Sequence, residues 1–525
     1  MSSDALAPPV LPAFVVAPSI PENEIVQRRQ ALAGVQRFFG LDIHRDYLVA
    51  TAVDHDLQIV FGPVRLGWER FEAWIAATLT LVDAVVVEMT TNTWQVHDQL
   101  AGRVHSVTVV HPPHVKLITD TPVMNDKKAA EALASLLATG LLRSVWVPDQ
   151  ITRDWRQLVA QRLDRVKAMT IAKNRLQSVL HRHQFEKPKA SDPYTEPLRA
   201  FWLSLPVSPA EKLAVELDLE TIAQSQAQLA RIEAMMTAQV VTDARLPFLV
   251  QLPGVSVLGA LTILAAIGPI ERFASPKKLV GYAGLGTRLH DSGTTRWSGR
   301  ITKAGRKDLR YVMVNAAQAA ARSHPHWQAE LARLEPRTGR NKAIIAIARK
   351  LLVGVWHILT KREADRFAEP EQVAKSFAQT AYGSIGAAEL PEGETGPEFV
   401  RRNLDALKLG KDLQYVKYGN RRFILPQSGQ PGAAPMAQPT GRGQLQNTRE
   451  AKAKRAAEAA RKRAEIEARR KEAEDRMGRP RKQRSDKGTK RGPNRITTGK
   501  PAAPKARTTN RSVTRPTAKV AAKAK

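Results

Sequence analysis

The chain has 525 residues, no cysteine, and 81 Lys and Arg against 50 Asp and Glu, for a net charge of +31. The lack of cysteine excludes disulfides, thiol catalysis and thiolate zinc sites, and fits a reducing cytosol. The pI near 10.5 directs attention to a polyanion, nucleic acid first, although about +20 of the excess lies in residues 441–525.

Residues 1–36 are Pro/Ala-rich and then polar, a leader expected to be poorly ordered and lacking the basic-then-apolar pattern of a signal peptide. Residues 37–148 change character. Phe38 to Ile43 reads as a strand, Tyr47 to Val53 as its hairpin partner and Leu57 to Val64 as a third strand. A helix is predicted over Glu69 to Thr80. Asp83 to Glu88 is a continuous apolar run closed by an acid, the pattern of a strand buried on both faces. A helix near Trp94 to Leu100, a strand over Ser106 to Val110 and a helix from Asn125 to Gly140 complete the unit, with Asn125 as N-cap. Three meandering strands followed by alternating helix and strand is the order of a ribonuclease-H-like α/β domain.

Residues 149–245 read as a helical connector. Arg153, Arg156, Arg162, Arg165, Lys167, Lys173 and Arg175 crowd its first helix, either as a solvated face or as a phosphate-facing one. Val215, Ile222, Leu229 and Met236 recur every seven residues, which suits a dimerising coiled-coil seam or a core-facing amphipathic helix. In residues 246–365, the uncharged run from Pro247 to Ile270 is broken by Pro253, Gly254, Gly259, Gly268 and Pro269, and is expected to be a buried helix-turn-helix rather than a membrane span. Around Gly254 it resembles a helix-hairpin-helix turn, whose backbone N–H groups approach a DNA phosphate. Arg300 to Arg322 and Lys342 to Lys361 are predicted as long helices behind it.

Residues 366–426 form a small accessory unit ending in a strand-like stretch. Residues 427–525 are a low-complexity tail: a Pro/Gly/Gln linker, an Ala/Glu/Lys/Arg-rich stretch, then a basic, apolar-poor end expected to be disordered. Within it, 478–482 is similar to a minor-groove hook, except that Met477 stands where an arginine would.

Two constellations carry chemistry. Asp42 sits in an apolar strand, where a carboxylate is costly unless paired or bound to metal. Glu88 closes a buried strand at the sheet's carboxyl edge, and Asp126 opens a helix. Each alone reads as a cap or ion-pair partner; the three together suit a hard divalent cation. The second constellation runs from Gly281 to Arg310. Its glycines, hydroxyls and cations, among them Arg288, Arg300, Lys303, Arg306 and Arg310, can bring a hydroxyl to a phosphate held by basic groups. Ser292, before Gly293, is the better nucleophile candidate and Ser298 the alternative; the chemistry alone assigns a covalent role to neither.

From about Phe38 to about Lys361 the chain resembles the DEDD-type insertion-sequence transposases, the bridge-RNA-guided recombinases related to Piv-type DNA invertases, with a Piv-like DNA invertase as the alternative function. Gly40-Leu41-Asp42-Ile43, Val87-Glu88 and the stretch from Asn125 to Ala134 match the acidic motifs. Pro253-Gly254, Gly281 to Leu285, and Ser292 to Arg310 match the C-terminal transposase domain. The resemblance implies an α/β chain with a RuvC-like (ribonuclease-H-like) catalytic domain, a mainly α transposase domain and a homo-oligomer, dimer or tetramer. It implies Mg²⁺ (or Mn²⁺) on Asp42, Glu88 and Asp126, serine attack by Ser292 on DNA, and a structured guide RNA. The expected partners are DNA and that RNA, with no membrane, and the expected setting is the bacterial cytoplasm at the nucleoid. The expected nucleic-acid contacts are Arg153, Arg156, Arg162, Arg165, Lys173, Gly254, Arg288, Arg300, Lys303, Arg306 and Arg310. The pattern departs from the family at one place: Ala129 stands where a fourth acid is expected. Three readings follow: a site of three carboxylates with weaker metal affinity, Asp120 or another acid filling in, or a degenerate nucleic-acid-binding copy.

Overall fold

A computed structural model describes residues 22–112, 125–292, 295–385, 390 and 394–429, with the backbone alone for 22–23 and 289–298. Most of the leader, Asp120, Gly293 and the tail with its 478–482 hook lie outside these residues. Part of the stretch expected to lack order is helical: α1 spans Glu22–Gln30. Arg29 Nε donates to the Thr139 carbonyl at 3.0 Å, covering the end of a helix more than a hundred residues away.

The N-terminal region is built on β1 (Arg37–Ile43), β2 (Tyr47–Val53), β3 (Ile59–Gly67), β4 (Asp83–Glu88) and β5 (Ser106–Val110), with helices α2 (Phe71–Thr78), α3 (Thr93–Leu100) and α4 (Asp126–Ala138). The strand order is β3-β2-β1-β4-β5. β1, β2 and β3 form an antiparallel meander, while β4 and β5 run parallel to β1. Alternation divides β1 between the two faces of the sheet. Phe39, Leu41 and Ile43 pack with Trp74, Ile75 and Leu100, whereas Phe38 packs on the other face with Leu133 and Leu137 of α4. At the amino edge, Arg37 forks onto Asp83, its register partner, at 2.8 Å through both nitrogens. Thr80 N and Oγ1 complete the shell of the fully buried Asp83 carboxylate at 2.7 and 2.9 Å.

The connector is a long antiparallel pair, α5 (Gln150–His183) and α7 (Pro209–Val240), with the short α6 (Arg199–Leu203) between them. Ion pairs set the register: Arg162 with Glu233 at 2.7 Å, Arg175 with Asp218 at 3.1 Å and Arg182 with Glu211 at 2.9 Å. Val215, Ile222, Leu229 and Met236 are buried, the first two packed with Leu176 and Val179 of α5. The heptad stripe read as a possible dimer seam is therefore covered by a helix of the same chain. Period alone does not distinguish an intrachain helical hairpin from an interchain coil.

Beyond it lie α8 (Leu246–Val250), α9 (Val257–Ile267), α10 (Pro276–Tyr282), β6 (Thr287–Ser292), β7 (Thr295–Ile301), α11 (Lys307–Ser323), α12 (Pro325–Thr338) and α13 (Arg340–Lys361). The uncharged run is α8, a turn, and α9, ten of whose residues are buried, as a helix apolar on all sides requires. α13 is long and apolar enough to span a membrane, but half of its most apolar window is buried inside the protein. The helix expected from Arg300 begins instead at Lys307; Arg300 and Ile301 finish β7, and left-handed Lys303 and Gly305 separate strand from helix. α14 (Pro370–Gln379), α15 (Gly396–Ala406) and the hairpin β8 (Tyr415–Tyr418) with β9 (Arg421–Ile424) share one apolar core with α9, α11 and α13.

Candidate functional site

Three elements carry the predicted carboxylates; Asp42 and Asp126 converge, and Glu88 stands on the neighbouring strand end outside their close cluster. Asp42 and Glu88 lie at the carboxyl ends of the adjacent parallel strands β1 and β4, one residue beyond the Leu41–Val87 pair. By alternation both fall on the α4 face, with Phe38, Gly40, Ala84 and Val86. α4 crosses that face in backbone contact with β1. A Cβ on Gly40 would lie 2.0 Å from the Ala130 carbonyl oxygen and 2.7 Å from Ala134 N, so only glycine admits the helix this close. Asn125 caps α4 by accepting from Lys128 N at 2.9 Å, and the first helical residue, Asp126, arrives over the strand ends.

Asp42, Asp126 and His44 converge so that one ligand atom from each lies within 4.8 Å of the others. His44 Nε2 is 3.3 Å from Asp42 Oδ2 and 3.4 Å from Asp126 Oδ2. The nitrogen is buried, yet no hydrogen bond satisfies it. Its ring stacks on Tyr47 at 4.6 Å between centroids, and Tyr47 donates its hydroxyl to Asp126 Oδ2 at 2.9 Å. The Arg65 guanidinium covers the Tyr47 ring at 3.6 Å. Burial holds the Asp42 carboxyl above the ordinary carboxylate range; His44 opposes that shift and Asp126 adds to it. Burial, and then the Asp42 charge, likewise raises Glu88. Close carboxylates, two of them held at raised values, beside an imidazole nitrogen are a donor set that fits a divalent cation. Ala129, one turn into α4 and half-buried, contributes no donor. Sequence reasoning missed His44 and Tyr47, which it read as turn and strand residues.

The second constellation is a β-hairpin rather than a loop. β6 pairs with β7 so that Ser292 faces Thr295 and Leu289 faces Ser298 in register, which places Ser292 at the tip and Ser298 well down one arm. The base is fixed to α10: Thr302 N donates to the Gly286 carbonyl at 2.8 Å and Arg306 N to that of Tyr282 at 2.9 Å.

Several candidate nucleic-acid contacts have partners inside the fold. Arg153 forks onto Asp98, which it holds down at about 2. Arg162 binds Glu233, Lys173 lies 3.6 Å from Asp192, and Arg306 binds Asp308. Arg310 donates to the Ala283 carbonyl at 2.8 Å. Arg156 closes the end of α9, donating to the Ala265 carbonyl at 2.8 Å, and its guanidinium lies over the Trp146 ring. Burial, ahead of the Arg306 charge, lowers it to about 10, so it stays cationic at neutral pH. Arg165 is half-buried and reaches Gln161 at 3.4 Å. Arg288, Arg300 and Lys303 are exposed around the hairpin base, with Arg288 3.3 Å from the Thr302 carbonyl. Gly254 is left-handed and exposed; a Cβ there would lie 2.6 Å from the Ala316 carbonyl, so one side of the turn packs on α11.

Comparison with known proteins finds two matched stretches. Residues 39–184 match a DEDD-type family described as Transposase, of the IS110 kind, and residues 247–332 match the Transposase IS116/IS110/IS902 family. The transposase for insertion sequence element IS1111A of Coxiella burnetii is 23% identical over 349 residues, 65% of this chain and 94% of that protein. The candidate transposase y4qE of Sinorhizobium fredii is 27% identical over 260 residues, covering 49% of this chain and 64% of that one. The first matched stretch carries the acidic set, the second the hairpin.

Proposed function

We propose, for a chain that carries IS110/IS116-type transposase domains, that it cuts and rejoins DNA by serine attack assisted by a divalent cation. On this reading, residues 37–148 are a ribonuclease-H-like catalytic domain, 149–245 the connector, and 246–365 the transposase domain. The observation that carries the proposal is the convergence of Asp42 and Asp126 on His44, with Glu88 on the neighbouring strand end.

A cation held by Asp42, Glu88 and Asp126, Mg²⁺ or Mn²⁺, would supply positive charge to the phosphate oxygens during transfer. The chain's own groups do the remainder. Ser292 Oγ attacks the phosphorus and forms an O–P bond, while the ester bond to one nucleoside oxygen breaks. That oxygen leaves as a hydroxyl, and the serine proton balances it. Attack by a hydroxyl of a new strand end reverses the step and releases the serine, so rejoining needs no ATP. Arg288, Arg300 and Lys303 are suited to hold phosphate oxygens beside the hairpin.

The acids and Ser292 lie in different matched domains. We read the complete centre as composite, assembled in a homo-oligomer, dimer or tetramer, with a structured RNA choosing the DNA site. The exposed cations and the basic tail support a nucleic-acid partner. A second reading, a catalytically impaired binding protein, is favoured by Ala129.

A strand-transfer assay on supercoiled donor plasmid separates the two. The expected result is metal-dependent recombination, reduced at least a hundredfold, on the order of losing one nucleophile or electrostatic group, by Ser292→Ala and by Asp42→Asn. Recombination by Ser292→Ala at the parent rate would sink serine chemistry. Tight salt-sensitive DNA binding with no metal response would establish the impaired protein.

A further inference from the structure

The geometry points to a role for His44: we propose that its Nε2 is a metal ligand beside Asp42 and Asp126, and that this nitrogen shifts the site's preference from Mg²⁺ toward Mn²⁺. The inference rests on the metal-site reading above and deepens it.

Three observations carry it. First, Nε2 is buried without a hydrogen bond, while lying 3.3 and 3.4 Å from carboxylate oxygens of both Asp42 and Asp126. A histidine placed only to bridge two carboxylates would align its N–H on one of them. This nitrogen is nearly equidistant from both and aligned as a hydrogen bond on neither, although it lies close enough to Asp42 to lower that carboxyl; such spacing is that of donors around a common cation.

Second, the ring is held in place. His44 N donates to the Tyr47 carbonyl at 2.9 Å, closing the β1–β2 turn. The ring stacks on Tyr47, whose hydroxyl fixes Asp126. One tyrosine therefore orients two of the donors, the task that outer groups perform around bound metals. Third, no other donor occupies that part of α4, because position 129 is alanine.

The consequence for selectivity follows from ligand chemistry. Mg²⁺ favours an all-oxygen octahedron. Imidazole suits Zn²⁺, Fe²⁺ and Ni²⁺ best, and Mn²⁺, the weakest binder of the first-row series, still accepts a nitrogen more readily than Mg²⁺ does. Replacing a carboxylate by an imidazole also removes one negative charge, which weakens a hard cation held mainly by charge.

The test is pulsed electron paramagnetic resonance of Mn²⁺ bound to the full chain, with Mn²⁺ and Mg²⁺ affinities from calorimetry. His111→Gln serves as a control, because His111 follows β5 at the same strand edge. The expected result is nitrogen modulation in the parent and in His111→Gln, and its loss in His44→Gln with Mn²⁺ affinity lower by about tenfold or more. His44→Asp should bind Mn²⁺ without nitrogen modulation and gain in relative Mg²⁺ affinity; it replaces His44→Gln if that variant shows no melting transition. Mn²⁺ bound to the parent without nitrogen modulation, or modulation persisting in both His44 variants, overturns the role of His44 and leaves the carboxylate site standing. A parent that binds neither ion overturns the metal-site reading as well.

Discussion

Asp42 and Glu88 are ionisable groups placed at a cost. Burial raises both above the ordinary values of 3.8 and 4.5. The folded chain therefore holds these protons more tightly than the unfolded chain. Their effect on stability is most favourable below the unfolded values and declines as pH rises through the raised folded values. At pH 7 the metal-free protein bears the penalty of two ionised, partly desolvated acids. Asp42→Asn should raise the melting temperature in EDTA at pH 7, with the gain shrinking toward pH 4, and should abolish stabilisation by added Mn²⁺. Thermal denaturation across that range, with and without metal, reads both effects. A variant less stable than the parent in EDTA would mean that Asp42 is a structural ion-pair partner.

The three acids were legible because each closes or opens an apolar element, where a carboxylate is conspicuous. His44 was not, because it follows the strand in a short polar turn and nothing local aims its ring. The arginines of the connector show what a local reading leaves out. Their acids, Asp98, Asp218 and Glu233, come from distant segments, so a local count of charge made the helix look free.

At the scale of elements, the N-terminal sheet could be read from the sequence because its periods are clean. The β6–β7 hairpin could not: Thr287 to Ser292 and Thr295 to Ile301 mix charges, hydroxyls and a glycine without alternation. Its strands are defined by pairing with each other and by anchoring to α10, neither of which is local. Gly40 decides how α4 meets β1. Gly40→Ala should cost about 2 kcal/mol, as overpacking does, and should also weaken Mn²⁺ binding, since the helix that carries Asp126 must move outward. Chemical denaturation and calorimetry test the two effects together; loss of stability with unchanged metal affinity would separate α4 from the site. Arg156→Met should lower stability by about 1–3 kcal/mol, because the carbonyls ending α9 lose a charged donor. It should leave the salt dependence of DNA binding unchanged; a shallower salt slope would return Arg156 to the DNA surface.

At the scale of the whole molecule, the two matched stretches carry the acidic set and the hairpin separately, and the charge is divided between the body and the tail. Ending the chain at Gln444 removes about +20 of the charge. The truncated chain should keep the parent's melting temperature and show a shallower dependence of DNA affinity on salt, since fewer phosphates are neutralised. An unchanged slope would place the electrostatic footprint wholly on the body. The central claim, that Ser292 is the residue joined to DNA, has a direct measurement. Trypsin cleaves after Arg288, Arg296 and Arg300, placing Ser292 and Ser298 in different peptides. Mass spectrometry of trapped protein–DNA adducts after nuclease and trypsin digestion should find the nucleotide remnant on Ser292, in the peptide from Leu289 to Arg296. A remnant on Ser298, on a tyrosine, or no covalent adduct from a recombining enzyme would contradict the account.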